Sequence, residues 1–287
     1  MSYPDNLQWT QDSLVQTDNV VKIEPILKWP GGKRGLIRHL LPLIPNKFAS
    51  YYEPFFGGGA LFFALRPKAA ILADKNGELI NCYSQLRSSP SELLELLQLM
   101  KNTKEDYYAI RTTAPRDERA RAARFIYLMT LSFNGIYREN LQGEFNVPYG
   151  NKQHLAVYDR EKFYRVSKAL QPAQLFCADF DITLALAKQN DLVYLDPPYT
   201  TAYGNDGFLK YNAEIFSWED QIRLADTANK LANKGCHVII SNADHPSIHS
   251  LYRDFQVRTV VRQSTIAASR SHRREIKECI FYSQKGS

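Results

Sequence analysis

A chain of 287 residues, 44% hydrophobic and 12% aromatic, with a mean hydropathy of -0.38, is long enough for a full core and too evenly mixed to be fibrous or disordered. Its apolar runs are short and broken by charge, which excludes a membrane span and a signal peptide. The net charge of +6 favours an anionic partner, with basic residues gathered over 111–124 and again over 258–277, although each stretch alone reads equally well as a solvated face.

Residues 1–24 are polar and aperiodic, and read as a loosely held leader. Next, Ile26-Leu27-Lys28-Trp29-Pro30-Gly31-Gly32-Lys33 is an extended stretch turning through two glycines into a helix that carries Leu36, Ile37, Leu40 and Leu41. It is not a phosphate-binding P-loop, because Arg34 stands where Ser or Thr is needed and the four intervening residues are missing. A second strand-turn-helix unit follows: Tyr51–Phe56, the turn Gly57-Gly58-Gly59, and a helix over 60–65. Its partner strand, 70–73, closes in Asp74. Glycines admit a ligand close to the backbone, and an acid ending the next strand can accept from two ribose hydroxyls, so this is a nucleoside-binding arrangement.

From Glu78 to about Leu170 the pattern is helical, with helices over 90–100, 105–112 and 116–131. Strand patterns resume at 174–179 and continue at 192–195, 237–241, 255–261 and 279–282, alternating with helices over 182–188 and 219–233. The expectation is an α/β fold, a doubly wound sheet interrupted by a helical insertion. Catalytic parts over 25–85 and 173–287 would flank a recognition segment over 86–172. Between its helices and the later strands lies a loop, Phe133-Asn134-Gly135-Ile136-Tyr137-Arg138-Glu139-Asn140, then Gly143-Glu144-Phe145-Asn146-Val147-Pro148-Tyr149-Gly150. It is dense in groups suited to base edges: arginine grips guanine in two places, asparagine grips adenine, and an aromatic fills the gap left by an extruded base.

The four cysteines, Cys82, Cys177, Cys236 and Cys279, are widely spaced in apolar surroundings and read as reduced core residues. Lacking C-x-x-C or His/Cys spacing, the chain is expected to hold no metal.

The most telling segment is Asp196-Pro197-Pro198-Tyr199, which ends the apolar run Leu192-Val193-Tyr194-Leu195. Proline stops the strand and leaves the acid at its carboxyl end, where open α/β sheets place ligands. An exocyclic amine on adenine or cytosine is a poor nucleophile because its lone pair is delocalised. A carboxylate from Asp196 and the Pro197 carbonyl could each accept one N–H and favour a pyramidal nitrogen, while Tyr199 stacks on the base. The same geometry serves N4-cytosine methylation. A DNA-binding regulator with a decayed fold is a further alternative, opposed by the intact glycine turn, Asp74 and Asp196.

Taken in order, LKWPGGK, EPFFGGG, ILAD, FNGIYREN with GEFNVPYG, DPPY and IISN resemble the Dam-type N6-adenine DNA methyltransferases of the D12 class, in their alpha arrangement. The resemblance spans about residues 25–283. It implies a Rossmann-like methyltransferase sheet and S-adenosyl-L-methionine as cofactor, held by Trp29, Pro30, Lys33, Phe55, Gly57, Gly58, Gly59, Asp74, Asp179, Phe180 and Asp196. It further implies Asp196, Pro197, Pro198 and Tyr199 as the catalytic tetrapeptide. Duplex DNA would meet Lys28, Phe133, Asn134, Ile136, Tyr137, Arg138, Asn140, Asn146, Arg262 and Arg270. NGIYR and GEFNVPYG are similar to GATC-specific members, although Tyr137 stands where Dam-like relatives often carry a smaller residue. The expectation is a cytoplasmic, nucleoid-associated protein of bacterial or phage origin, acting as a monomer or alternatively as a dimer.

Overall fold

Alternation with a period of two organises the strands. In the computed structural model, Tyr51, Leu192, Tyr194 and Ile239 point into one core, while Tyr52, Val193, Leu195, Val238 and Ile240 point into another. Two cores on opposite faces of one sheet are what near-continuous apolar strands require. The structure describes residues 23–140, 142–152, 158–201, 216–263 and 275–283, with the backbone alone at 262, 263, 275 and 276. The leader up to residue 22, Arg270 and the Arg262 side chain lie outside the described residues.

Seven strands, β1 (Tyr51–Glu53), β2 (Ala70–Asp74), β3 (Ala173–Cys177), β4 (Leu192–Leu195), β5 (His237–Ala243), β6 (Gln256–Gln263) and β7 (Glu275–Tyr282), form one sheet in the order β3-β2-β1-β4-β5-β7-β6. The first five are parallel, and β7 runs antiparallel between β5 and β6. This is the doubly wound α/β architecture expected from the sequence. Strand order reverses between β1 and β4, which pair through Tyr51↔Leu192 and Tyr52↔Val193. Their carboxyl ends therefore open a crevice at the switch point, and the segments after Glu53 and Leu195 border it.

Helices α1 (Ile37–Leu40) and α2 (Ala60–Leu65) precede β2. The long β2–β3 crossover carries α3 (Gly77–Ser88), α4 (Pro90–Leu99), α5 (Lys104–Thr112), α6 (Glu118–Leu131) and α7 (Arg160–Leu170). Polar caps start several of them: Asn76, Thr103, Asp117 and Asp159 each accept a backbone N–H two or three positions into the following helix. These helices share a core with the sheet, since Tyr83, Leu94, Ile126, Phe163 and Leu170 cluster with Tyr51, Leu72 and Tyr194.

On the other face lie α8 (Phe180–Leu184), α9 (Trp218–Asn233) and α10 (Pro246–Leu251). The α8 helix sits earlier than the expected 182–188 because the Asp179 carboxylate accepts from Asp181 N and sets its start. A second expectation is corrected: Cys82, Cys236 and Cys279 are buried, but Cys177 is exposed. It closes β3, an edge strand whose burial falls away to exposure at its last position. No helix among the described residues is long and apolar enough to cross a membrane.

Candidate active site and recognition loop

Parity brings two acids together. Glu53 follows Tyr51 by two positions and Asp196 follows Tyr194 by two, so both acids face the same side of the sheet at the switch point. Lys33 arrives from the segment after the double glycine. Its Nζ lies 3.0 Å from Asp196 Oδ1, donates to Gly31 O at 2.9 Å and sits 4.3 Å from the centre of the Tyr199 ring. The lysine is only 7% exposed and the aspartate 18%, so the cation offsets a largely buried negative charge. Both residues are legible in the sequence but their pairing is not, because it joins motifs far apart along the chain. Glu53, 3% exposed, accepts from Tyr51 Oη at 2.8 Å. Burial pushes its carboxyl well up, and the neighbouring Asp196 and Asp74 charges add to that against the Tyr51 hydrogen bond.

The glycine turn is held by the acid that ends β2. Asp74 accepts from Gly57 N at 2.9 Å and from Asn76 N at 3.0 Å. Burial raises its carboxyl, while these backbone donors oppose the rise. Gly57 has φ +48°, and a Cβ there would stand 2.8 Å from the Trp29 indole, so the turn requires glycine for conformation and for close approach alike. Gly59, with φ +65°, starts α2. Pro30 is exposed beside Trp29.

Beyond the turn, Phe55 packs at 5.6 Å on Phe180 and edge-on at 5.5 Å against Phe216. Asp179 is held by Lys75 at 2.7 Å and by both terminal nitrogens of Arg223. Burial would raise its carboxyl, but these donors outweigh it and hold the group at about 2. Carboxylates and aromatic rings around a glycine turn suit a nucleoside carrying positive charge. These carboxyls and rings offer acceptors and faces to a nucleoside rather than donors to a phosphate, so the set fits the adenosyl sulfonium group implied by the family resemblance.

The loop over 132–150 folds back on itself as a short hairpin. Ser132 bridges Tyr149 and Glu139 bridges Phe145, with Phe133 N donating to Pro148 O at 2.8 Å and Asn146 N to Arg138 O at 3.1 Å. Phe133 is 50% exposed, and Asn134 is exposed beside it at φ +56°. Arg138 is also exposed, braced by Nε donating to Asn146 Oδ1 at 2.7 Å. Ile136 is half-buried.

Two of the residues singled out for DNA also make contacts within the protein. The Asn140 amide closes the hairpin tip, donating to Glu144 Oε2 and accepting from Gln142 N and Glu144 N. Tyr137 stacks on Trp29 with ring centres 5.0 Å apart, and also packs on Phe125 and Phe145. Its hydroxyl bonds the Glu139 carboxylate, and burial pushes the phenol up. Tyr137 thus fastens the loop to the tryptophan that covers the glycine turn. Lys28 is exposed at the foot of the loop, near Gly135 and Lys152.

Not all of the basic stretch over 111–124 is available to a partner. Arg124 donates inward to Ile110 O and Arg111 O, and Arg121 pairs with Glu78.

The whole chain compares well with known proteins. A family model described as D12 class N6 adenine-specific DNA methyltransferase matches residues 29–266. Over 273 residues the chain is 40% identical to the type II methyltransferase M1.LlaDCHI of Lactococcus lactis subsp. cremoris, covering 91% of this chain and 96% of that protein. It is 32% identical over 279 residues to the type II methyltransferase M.MjaIII of Methanocaldococcus jannaschii, covering 89% and 96%. A DNA adenine methylase of Vibrio cholerae is 33% identical over 266 residues, covering 90% and 95%. The match runs from Trp29 through the glycine turn, the hairpin loop and the DPPY corner, and on it the chain belongs to the D12 class of N6 adenine-specific DNA methyltransferases.

Proposed function

We propose that this enzyme methylates N6 of an adenine extruded from duplex DNA, using S-adenosyl-L-methionine, within the sequence GATC. The observation that carries the reading is the corner where Lys33, Asp196 and Tyr199 meet at the switch point of the sheet. Trp29, Pro30, Lys33, Phe55, the Gly57–Gly59 turn, Asp74, Asp179, Phe180 and Asp196 would hold the cofactor, which when bound supplies an electrophilic methyl group on a sulfonium.

The chain's own residues supply orientation. Pro197 and Pro198 have no N–H, so this turn presents carbonyl oxygens. The Pro197 carbonyl and the Asp196 carboxylate take one amine hydrogen each, drawing the nitrogen lone pair out of the base plane, while Tyr199 offers its face to the extruded base. Lys33 keeps the carboxylate pinned against the turn. At the DNA, Arg138 is placed for a guanine edge and Asn134 for a base edge beside it, with Phe133 projecting where a base has left the stack; Ile136, Asn146 and Lys28 support them. Close likeness in NGIYR and GEFNVPYG supports GATC.

The test is methyl transfer by the purified full chain from labelled S-adenosyl-L-methionine to duplexes that differ at one base of GATC, with mass analysis of the product bases. N6-methyladenine confined to the GATC duplex is the expected result. The mark on all duplexes alike would remove the sequence assignment, and N4-methylcytosine would remove the base assignment.

A further inference from the structure

The motif IISN is the one element of the sequence to which the reaction assigns no task. Its Ser241 and Asn242 are both fully buried, as is Gln221 on α9. Gln221 Nε2 donates to the Pro198 carbonyl at 3.0 Å, and Asn242 Nδ2 donates to Gln221 Oε1 at 3.1 Å. Asn242 Oδ1 then accepts from Ala243 N at 2.8 Å. On the opposite face of β5, Ser241 Oγ meets the Tyr194 hydroxyl at 2.7 Å, two residues before Asp196. A further tie lies just past the tetrapeptide, where Thr200 Oγ1 donates to Phe216 O at 2.8 Å.

Polarity makes this chain of bonds directional. A carbonyl oxygen can only accept, so Gln221 must turn its NH2 to Pro198. Its own oxygen then faces Asn242, which must answer with NH2 and leave its oxygen to the Ala243 N–H. Apolar side chains would fill the same core with no polar groups to satisfy. What they could not supply is a donor, and the tetrapeptide needs one. Pro197 and Pro198 carry no N–H, so the turn cannot be fixed through backbone donors and is held by its carbonyls. One of these is assigned to the amine, and the other is anchored.

Resting on the functional reading above, we infer that Gln221 and Asn242, with Ser241 behind Tyr194, are positioning residues that fix the Pro198–Tyr199 peptide and so aim the Pro197 carbonyl and the Tyr199 ring at the target amine. They touch no substrate. Their contribution is to kcat, because misplacing a reacting geometry by about 1 Å costs rate before it costs binding.

The test compares Gln221→Met, Asn242→Leu and the double variant of the full chain with wild type in single-turnover methyl transfer, alongside dissociation constants for DNA and S-adenosyl-L-methionine. Each single variant should lose about a hundredfold in the transfer rate, with both dissociation constants held within about twofold. The double variant should lose no more than the worse single one, because the two residues act in series. Gln221→Leu also removes the N–H donor, and serves the same reading should the methionine variant melt below the assay temperature. Equal transfer rates in wild type and variants overturn the inference alone, as do losses that appear only as weaker binding or that multiply in the double variant. A wild-type protein that transfers no methyl group to adenine overturns the functional reading and this inference with it.

Discussion

The DPPY corner and the hairpin loop are built in opposite ways. At the corner, Lys33, Glu53, Asp74, Asp196, Gln221 and Asn242 come from six separate stretches of sequence, and strand ends gather them into buried contacts. The loop comes from one stretch of sequence and is closed by hydrogen bonds among positions 132–150, and its arginine and leading aromatic stay exposed. Preorganised chemistry needs a rigid, dry surround, whereas reading a base edge needs access. On the proposed function, such a division would let the loop change sequence preference while the chemistry stays untouched. The two regions meet at the Tyr137–Trp29 stack.

Breaking the corner should have the largest effect. Asp196→Ala is expected to lower methyl transfer by at least about a thousandfold while DNA binding, followed by gel shift, stays near wild type. Full activity in that variant would detach the chemistry from the DPPY corner.

Arg138→Ala tests the other side of the comparison. It should relax discrimination at one base pair by about 1–3 kcal/mol and leave the single-turnover rate on a saturating GATC duplex within about threefold. The check is the ratio of kcat/KM for cognate and single-mismatch duplexes. A fall in rate with unchanged preference would place Arg138 in the chemistry instead.

A smaller effect should mark the junction. Tyr137→Leu removes an aromatic contact worth about 0.5–1.5 kcal/mol from the ring that seats Trp29. Calorimetry should show the cofactor dissociation constant rising by about twofold to thirteenfold. Unchanged cofactor affinity would make the loop energetically separate from the glycine turn.

The smallest effect is on stability in acid. Asp179 is held at about 2 against an ordinary 3.8, its Arg223 and Lys75 partners overcoming burial. A depressed carboxyl contributes stability that is complete above its unfolded value and lost as pH falls through the folded one. Asp179→Asn should therefore unfold at lower denaturant than wild type near pH 7. The gap should close between about pH 4 and pH 2, and a gap constant across that range would show that the ion pairs contribute nothing.

Much of this molecule is legible along the chain because its signals are local. Strand alternation, the acids closing β2 and β4, the glycine turn and the long helical crossover all follow from neighbours in sequence. What the sequence leaves dark depends on contacts between distant stretches. Nothing in the composition of either motif pairs Lys33 with Asp196, and no periodicity sends Gln221 to Pro198. Within the loop, Phe133 and Tyr137 are equally aromatic, and the positions of Trp29, Phe125 and Phe145 decide that Tyr137 tucks in while Phe133 stays out. Asn140 reads as a base contact by residue type, yet its amide completes the hairpin tip. Cys177 reads as core by its apolar neighbours, and its exposure follows from β3 lying at the edge of the sheet.

The central claim is that the corner methylates and the loop reads. The most direct measurement is base-resolved methylation of genomic DNA from a methylation-free host expressing the wild-type chain, Asp196→Ala or Arg138→Ala. N6-methyladenine should be confined to GATC for wild type, absent for Asp196→Ala, and spread to related sites for Arg138→Ala. A mark that persists in Asp196→Ala, or one that disappears in Arg138→Ala without spreading at any expression level, would contradict it.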